Sequence, residues 1–231
     1  MRKIGLIGGL SWYSTRTYYE YINRGVQAGA GPDVSAPIVI DSLNSASLLR
    51  LSDAEGWKRA SAVLSESARR LEDAGATAIL IGANSMHKVY DAVASAVSVP
   101  ILHIAACVAE RMVAAKVRRA ALIGTRNVMV DTFYREKLIA RDIELLPPDM
   151  QQVEVLDAII YNELVHGRIT RQAERELRTI ITNLQKDGAE AIVLGCTELE
   201  MIVDVDANVL PIFDCTRIHA DAAVDWILER G

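Results

Sequence analysis

The chain repeats itself, and a duplication constrains a fold more than any single motif because it states which residues occupy equivalent places. "RKIGLIGG" (Arg2 to Gly9) aligns with "RRAALIGT" (Arg118 to Thr125). "LEDAGATAILIGANSMH" (Leu71 to His87) aligns with "LQKDGAEAIVLGCTELE" (Leu184 to Glu200), and "VPILHIA" (Val99 to Ala105) with "LPIFDCT" (Leu210 to Thr216). The three matches come in the same order at nearly constant offset. Each half reads as strand, helix, strand, helix, strand.

The expected strands are Ile4–Ile7, Ile79–Ile81, Ile101–Ile104, Ala120–Ile123, Ile192–Leu194 and Ile212–Phe213. They are short and continuously apolar, as strands buried on both faces must be. Amphipathic helices lie between them. Leu177, Ile180, Ile181 and Leu184 fall at i, i+3, i+4 and i+7, with Thr170 as N-cap and Gly188 as stop; Trp57, Leu64 and Leu71 recur before Gly75. The pattern predicts an α/β fold of two pseudo-symmetric parallel-sheet halves, residues 1–98 plus 210–231 and residues 99–209. In such sheets ligands bind beyond the carboxyl ends of the strands, so the expected active site is the cleft between the halves. Its turns are Gly8–Leu10, Gly82–Ser85, Gly124–Arg126 and Gly195–Glu198.

Composition narrows the partners. The net charge is −5 across 231 residues, with no Lys/Arg run, which argues against nucleic acid and anionic membrane. The apolar start breaks at Gly8-Gly9 and reads neither as a signal peptide nor as a membrane span. Three cysteines without CxxC or His-rich spacing make neither a disulfide framework nor a zinc site; no metal is expected, and a reduced, cytoplasmic protein is. "LIGGLSW" is not GxGxxG and no GxxxxGK[ST] occurs, so dinucleotide or P-loop chemistry has only weak support.

Cys196 follows a buried strand and precedes "TELEMIV", a place where a helix start would lower a thiol pKa and make a usable base. The competing reading is packing, the usual fate of free cysteine. Cys107 is assigned to packing, and Cys215, after the last repeated strand, is open between core and chemistry, with core the favoured reading. His103 ends a strand and His219 begins the closing helix, each readable as an ordinary polar residue near a cleft, and His87 reads as either a brace of its turn or a proton carrier. Asn84 and Ser85 can grip a carboxylate or merely cap a helix, and Ser11 or Ser14 can cap the helix after the first turn. At the position equivalent to Cys196, the first copy holds Ala83.

These motifs together, "IGLIGGLSWYST", "ANSMHKV", "LIGT", "LGCTELEMIV" and "PIFDCTRIHADAAV", resemble the aspartate/glutamate racemase family, also called the Asp/Glu/hydantoin racemase superfamily, over essentially the full length. The resemblance implies a cofactor-independent enzyme, usually a homodimer, acting on a small amino-acid or dicarboxylic-acid substrate. Two cysteines would serve as base and acid on opposite faces of the α-carbon, because inverting a stereocentre needs a proton group on each face. The second of these falls on Cys196 and the first on Ala83. Asn84, Ser85, Thr197 and Glu198 then fall among the substrate-binding residues, with Leu10, Ser11 and Thr125 at the further turns.

Two departures stand out. Ala83 can neither take nor give a proton. Family members with acidic substrates often carry cationic side chains where this chain has Asn44 and Val165; Arg50 and, more remotely, Arg168 are the candidates to compensate. The expected function is a racemase or epimerase without a cofactor. The alternatives are a single-cysteine decarboxylase-type enzyme of the same superfamily, a catalytically impaired ligand-binding relative, or an engineered Cys-to-Ala variant.

Overall fold

The structure, a computed structural model, describes residues 1–204 and 208–230. It divides into two units, Met1–Ile104 with His219–Gly231, and Ala105–Ile218. Along the chain run β1 (Ile4–Gly8), α1 (Trp12–Ala30), β2 (Ile38–Ser42), α2 (Ala54–Asp73), β3 (Ala78–Ile81), α3 (Tyr90–Ala94), β4 (Ile101–Leu102), α4 (Ile104–Ala114), β5 (Arg119–Gly124), α5 (Arg126–Val130), α6 (Thr132–Ile139), β6 (Glu144–Leu145), α7 (Met150–Asn162), α8 (Arg171–Lys186), β7 (Ala191–Gly195), β8 (Ile212–Asp214) and α9 (Cys215–Ile227). Short 3-10 turns include Ser85–Val89 and Thr197–Met201.

The first unit holds a parallel sheet of order β2-β1-β3-β4, the second a parallel sheet of order β6-β5-β7-β8. The two orders are the same, which is the duplication expressed as topology. β1, β3 and β7 are buried at every residue, and β5 at all but its first. In the second unit an apolar core gathers Ile123, Leu177, Ile181, Ile192 and Leu194 between sheet and helices. In the first, two cores cover the sheet: one gathers Ile7, Trp57, Leu64, Leu71 and Ile81, the other Ile4, Leu6, Tyr18, Ile22 and Ala223.

Helix boundaries are set by local chemistry. The Thr170 hydroxyl accepts from the Ala173 N–H at 3.1 Å and starts α8, whose buried stripe is Ala173, Leu177, Ile180, Ile181 and Leu184. Past its end, Gly188 takes φ +92°. Ser11 caps α1, and Gly75 follows α2 at φ +83°. None of the described helices is long and apolar enough to cross a membrane.

The expectation of three strands per half misses β2 and β6. Both are edge strands: β2 is half-buried to exposed, and β6 is two residues long with its first exposed, so neither writes a continuous apolar run. Ile104, expected to end a strand, instead opens α4. The expected halves, 1–98 plus 210–231 and 99–209, also need correction. β4 pairs with β3 in the first sheet and β8 with β7 in the second, so the chain changes units after Ile104 and again after Ile218. Hydrogen bonding to a parallel neighbour decides where these two short strands belong, and their own sequences do not carry that partner.

The turn after β1 depends on Gly9. It sits at φ +72°, and a Cβ there would lie 2.1 Å from the Leu43 carbonyl oxygen, a backbone atom that cannot swing aside. Gly9→Ala is expected to lose at least about 3 kcal/mol of stability through strain and clash together, read as a fall in the urea midpoint with unchanged m-value.

Candidate active site

Both sheets end, at their carboxyl edges, in turns that carry buried polar side chains. In the first unit β3 runs into Gly82, Ala83 and Asn84 before the 3-10 turn. Asn84 is 3% exposed, it makes no capping bond, and neither Nδ2 nor Oδ1 has a hydrogen-bond partner. A buried amide left empty at both ends is rare in folded proteins and signals a missing ligand or water. Capping therefore does not explain it. Ala83 and Ser85 are partly exposed beside it. Leu10 packs into the apolar core, so that position offers a ligand only its backbone. Ser11 uses its hydroxyl to accept from the Ser14 N–H.

His87 braces this corner. Its Nδ1–H donates to the Ala83 carbonyl at 3.0 Å, and its Nε2 accepts from the Ile104 N–H at 3.2 Å, so both ring nitrogens are committed to backbone. His219 is placed alike: Nε2–H donates to the Leu102 carbonyl at 2.9 Å and Nδ1 accepts from the Tyr18 hydroxyl at 2.8 Å. The His87 ring centroid lies 4.7 Å from that of His103 and 5.8 Å from that of His219. Burial drives His87 down to about 4 and His219 to about 3, the latter also opposed by His87. Both are neutral struts, and of the two readings open for His87 the brace is the one realised.

In the second unit β7 hands over to Cys196. Its Sγ–H donates to Glu198 Oε2 at 3.1 Å, and the Thr197 hydroxyl donates to the same oxygen at 2.8 Å. All three residues are buried, Cys196 at 7% exposure. Burial and then the adjacent Glu198 carboxylate hold the thiol well above its usual range. The expectation of a lowered pKa is thus reversed. Cys196 leads into a single five-residue 3-10 turn, too short to sum peptide dipoles, and the nearest charge is negative. On the neighbouring strand end, in register through Gly124 and Gly195, Thr125 is 7% exposed with an unpartnered Oγ1.

Two features escaped the sequence reading. Thr216, beyond β8, is fully buried and its Oγ1 is also unpartnered; the repeat pointed to it, since it stands where Ala105 stands in the first copy. Asp214 shares a hydrogen bond with Glu200 and is raised by burial; these two acids occupy the places of His103 and His87. Cys215, open between core and chemistry in the sequence, is fully buried with Sγ 2.8 Å from the Tyr134 hydroxyl and its proton held tightly by burial. Cys107 is half-buried and pushed up to about 12 by burial. Asn44 spends its carbonyl oxygen on the Ala46 N–H, and Val165 packs against the second unit's core.

Comparison with known proteins places the chain in a family and its fold among solved structures. A family model described as Asp/Glu/Hydantoin racemase matches residues 7–223. A broad specificity amino-acid racemase, RacX, of Bacillus subtilis (strain 168) is 25% identical over 233 residues, covering 97% of this chain and 98% of that protein. Among solved structures, a candidate Asp/Glu racemase from Yersinia pestis has a TM-score of 0.90 at 38% identity, covering 99% of this chain and 100% of that one. An aspartate racemase homologue from Pyrococcus horikoshii OT3 has a TM-score of 0.83 at 31% identity, with the same coverage.

The geometry has two measurable consequences. Asn84→Leu, which keeps the shape and removes the stranded amide, is expected to raise stability by about 1–2 kcal/mol in a urea titration. The neutral histidines set a pH slope. Below the ordinary value of 6.5 the unfolded chain takes up protons that native His87 refuses until about 4, so stability present above pH 6.5 is lost as pH falls through that window. The slope reaches about 1.4 kcal/mol per pH unit for each histidine, and His87→Asn should flatten it in urea midpoints taken between pH 7 and 5.

Proposed function

The chain belongs to the Asp/Glu/hydantoin racemase family, and on that premise we propose that it is a cofactor-independent amino-acid racemase or epimerase in which Cys196 carries the α-proton. The observation that carries this reading is the placement of Cys196. The thiol is the first side chain beyond β7, hydrogen-bonded to a buried carboxylate, next to the strand end where Thr125 keeps an unpartnered hydroxyl. A thiol there can meet a small substrate held by polar groups. Asn84 is assigned to the substrate carboxylate or ammonium, since its empty amide offers two donors and an acceptor and a zwitterion needs both kinds. Thr125 and Ser85 add hydroxyls; Leu10 and Ser11 contribute through backbone at most. Thr197 acts through its bond to Glu198.

The second proton position is different. Ala83 has none to give, and His87 has both nitrogens tied to backbone. The returning proton on that face then comes from water or the Ser85 hydroxyl. The side chain recognised is neutral rather than acidic: Asn44 and Val165 stand where acidic-substrate members often place cations. The similar protein RacX is a broad specificity racemase, in keeping with that assignment.

A second reading has its own support. The proton that Cys196 holds tightly at rest suits one-sided protonation of a planar, enolate-like intermediate, as in a decarboxylase. Carbon dioxide release from substituted malonates, absent in Cys196→Ala, would select it.

The racemase reading is tested in deuterium oxide with a panel of L- and D-amino acids. Solvent deuterium is expected at Cα of at least one of them, faster than the stereocentre inverts, and Cys196→Ala is expected to slow it by about 10²–10⁴-fold. Ala83→Cys should raise inversion relative to exchange. Failure to label any amino acid would rule the reading out.

A further inference from the structure

We propose that Glu198 is the proton partner of Cys196, taking the thiol proton when the site acts as a base and handing it back when the site acts as an acid. The proposal deepens the racemase reading and rests on it. Cys196 Sγ lies 3.1 Å from Glu198 Oε2, which also accepts the Thr197 hydroxyl at 2.8 Å. The carboxylate is thereby aimed at the sulfur, in a residue only 6% exposed. Burial this deep disfavours a thiolate formed by losing the proton to bulk water, and a thiolate beside an ionised carboxylate would set two negative charges in contact. Moving the proton within the pair avoids both penalties, because the pair keeps a single negative charge.

In the first step the S–H bond of Cys196 breaks and an O–H bond forms on Glu198, leaving thiolate and neutral carboxyl. The thiolate then takes the α-proton: the Cα–H bond breaks, an S–H bond forms, and the electron pair stays on the substrate as a carbanion conjugated with its carboxylate. Water returns a proton to Cα, its O–H bond breaking as the Cα–H bond forms, and the Glu198 proton neutralises the hydroxide left behind, which restores the resting pair.

The duplication supplies independent support. Ser85 occupies the place of Glu198 in the first copy and Ala83 that of Cys196, so the copy without the thiol also lacks the carboxylate. Thiol and carboxylate are present together or absent together, as expected of one functional couple.

The test uses the full chain and two variants, Glu198→Gln and Glu198→Asp. First, Cys196 is alkylated with iodoacetamide from pH 6 to 10 and the modified peptide is quantified. In Glu198→Gln the curve is expected to move to lower pH by at least about one unit, because the charge that holds the proton on sulfur is gone; Glu198→Asp, which keeps the charge, should stay nearer the wild-type curve. Second, deuterium wash-in at Cα is measured. Glu198→Gln is expected to lower its kcat by about 10²–10⁴-fold with KM within about threefold. A thiolate that forms more easily yet exchanges more slowly is a combination no packing defect produces. An unmoved alkylation curve, or wash-in at the wild-type rate in Glu198→Gln, overturns the proposal. If the wild-type chain labels no amino acid while the alkylation curve still shifts, the racemase reading falls and the coupling between Glu198 and Cys196 is upheld.

Discussion

Burial of parallel strands on both faces governs the rest of the molecule. β1, β3, β5 and β7 have apolar neighbours above and below, so their interiors have no room for polar side chains except at the ends. The polar residues displaced from the sheets collect in the turns after the strands: Asn84 after β3, Thr125 after β5, Cys196 to Glu198 after β7, Thr216 after β8. The same packing that stabilises the units concentrates their chemistry in a few short loops, and it buries those loops enough that an unpaired hydroxyl or amide matters energetically.

Within that frame the two copies have taken opposite roles. The first places histidines at 87 and 103 and uses His87 to tie the strand-end turn to the start of α4, making a neutral, hydrogen-bonded brace. The second places Glu200 and Asp214 there, and adds a thiol and a carboxylate at 196 and 198. One turn is braced by a histidine and holds an unpartnered amide; the other holds a thiol hydrogen-bonded to a carboxylate. Identical strand orders therefore do not imply identical chemistry, because the backbone fixes the positions and the side chains decide what is done there.

Much of the fold was legible from residues alone. The buried runs and the i, i+3, i+4 stripe of α8 are patterns that burial imposes on any sequence, so they survive without knowledge of the partner. The edge strands β2 and β6 were not legible, since a half-exposed or two-residue strand has no such pattern. The site was half legible. The repeat set Cys196 against Ala83, and its place after a buried strand drew attention to Asn84, but neither showed that Asn84 makes no cap, that His87 is tied at both nitrogens, or that Glu198 turns back onto the sulfur.

The sequence by itself determined the duplication, the α/β class and the identity of the residues at equivalent strand ends, because periodicity and residue type are written locally. Only the tertiary structure decided what surrounds those residues and how they are hydrogen-bonded. A thiol at a strand end reads as an activated anion if a long helix comes after it and as a held proton if it meets burial and a carboxylate. Which of the two holds at Cys196 depends on how five residues coil after it and on what packs around them.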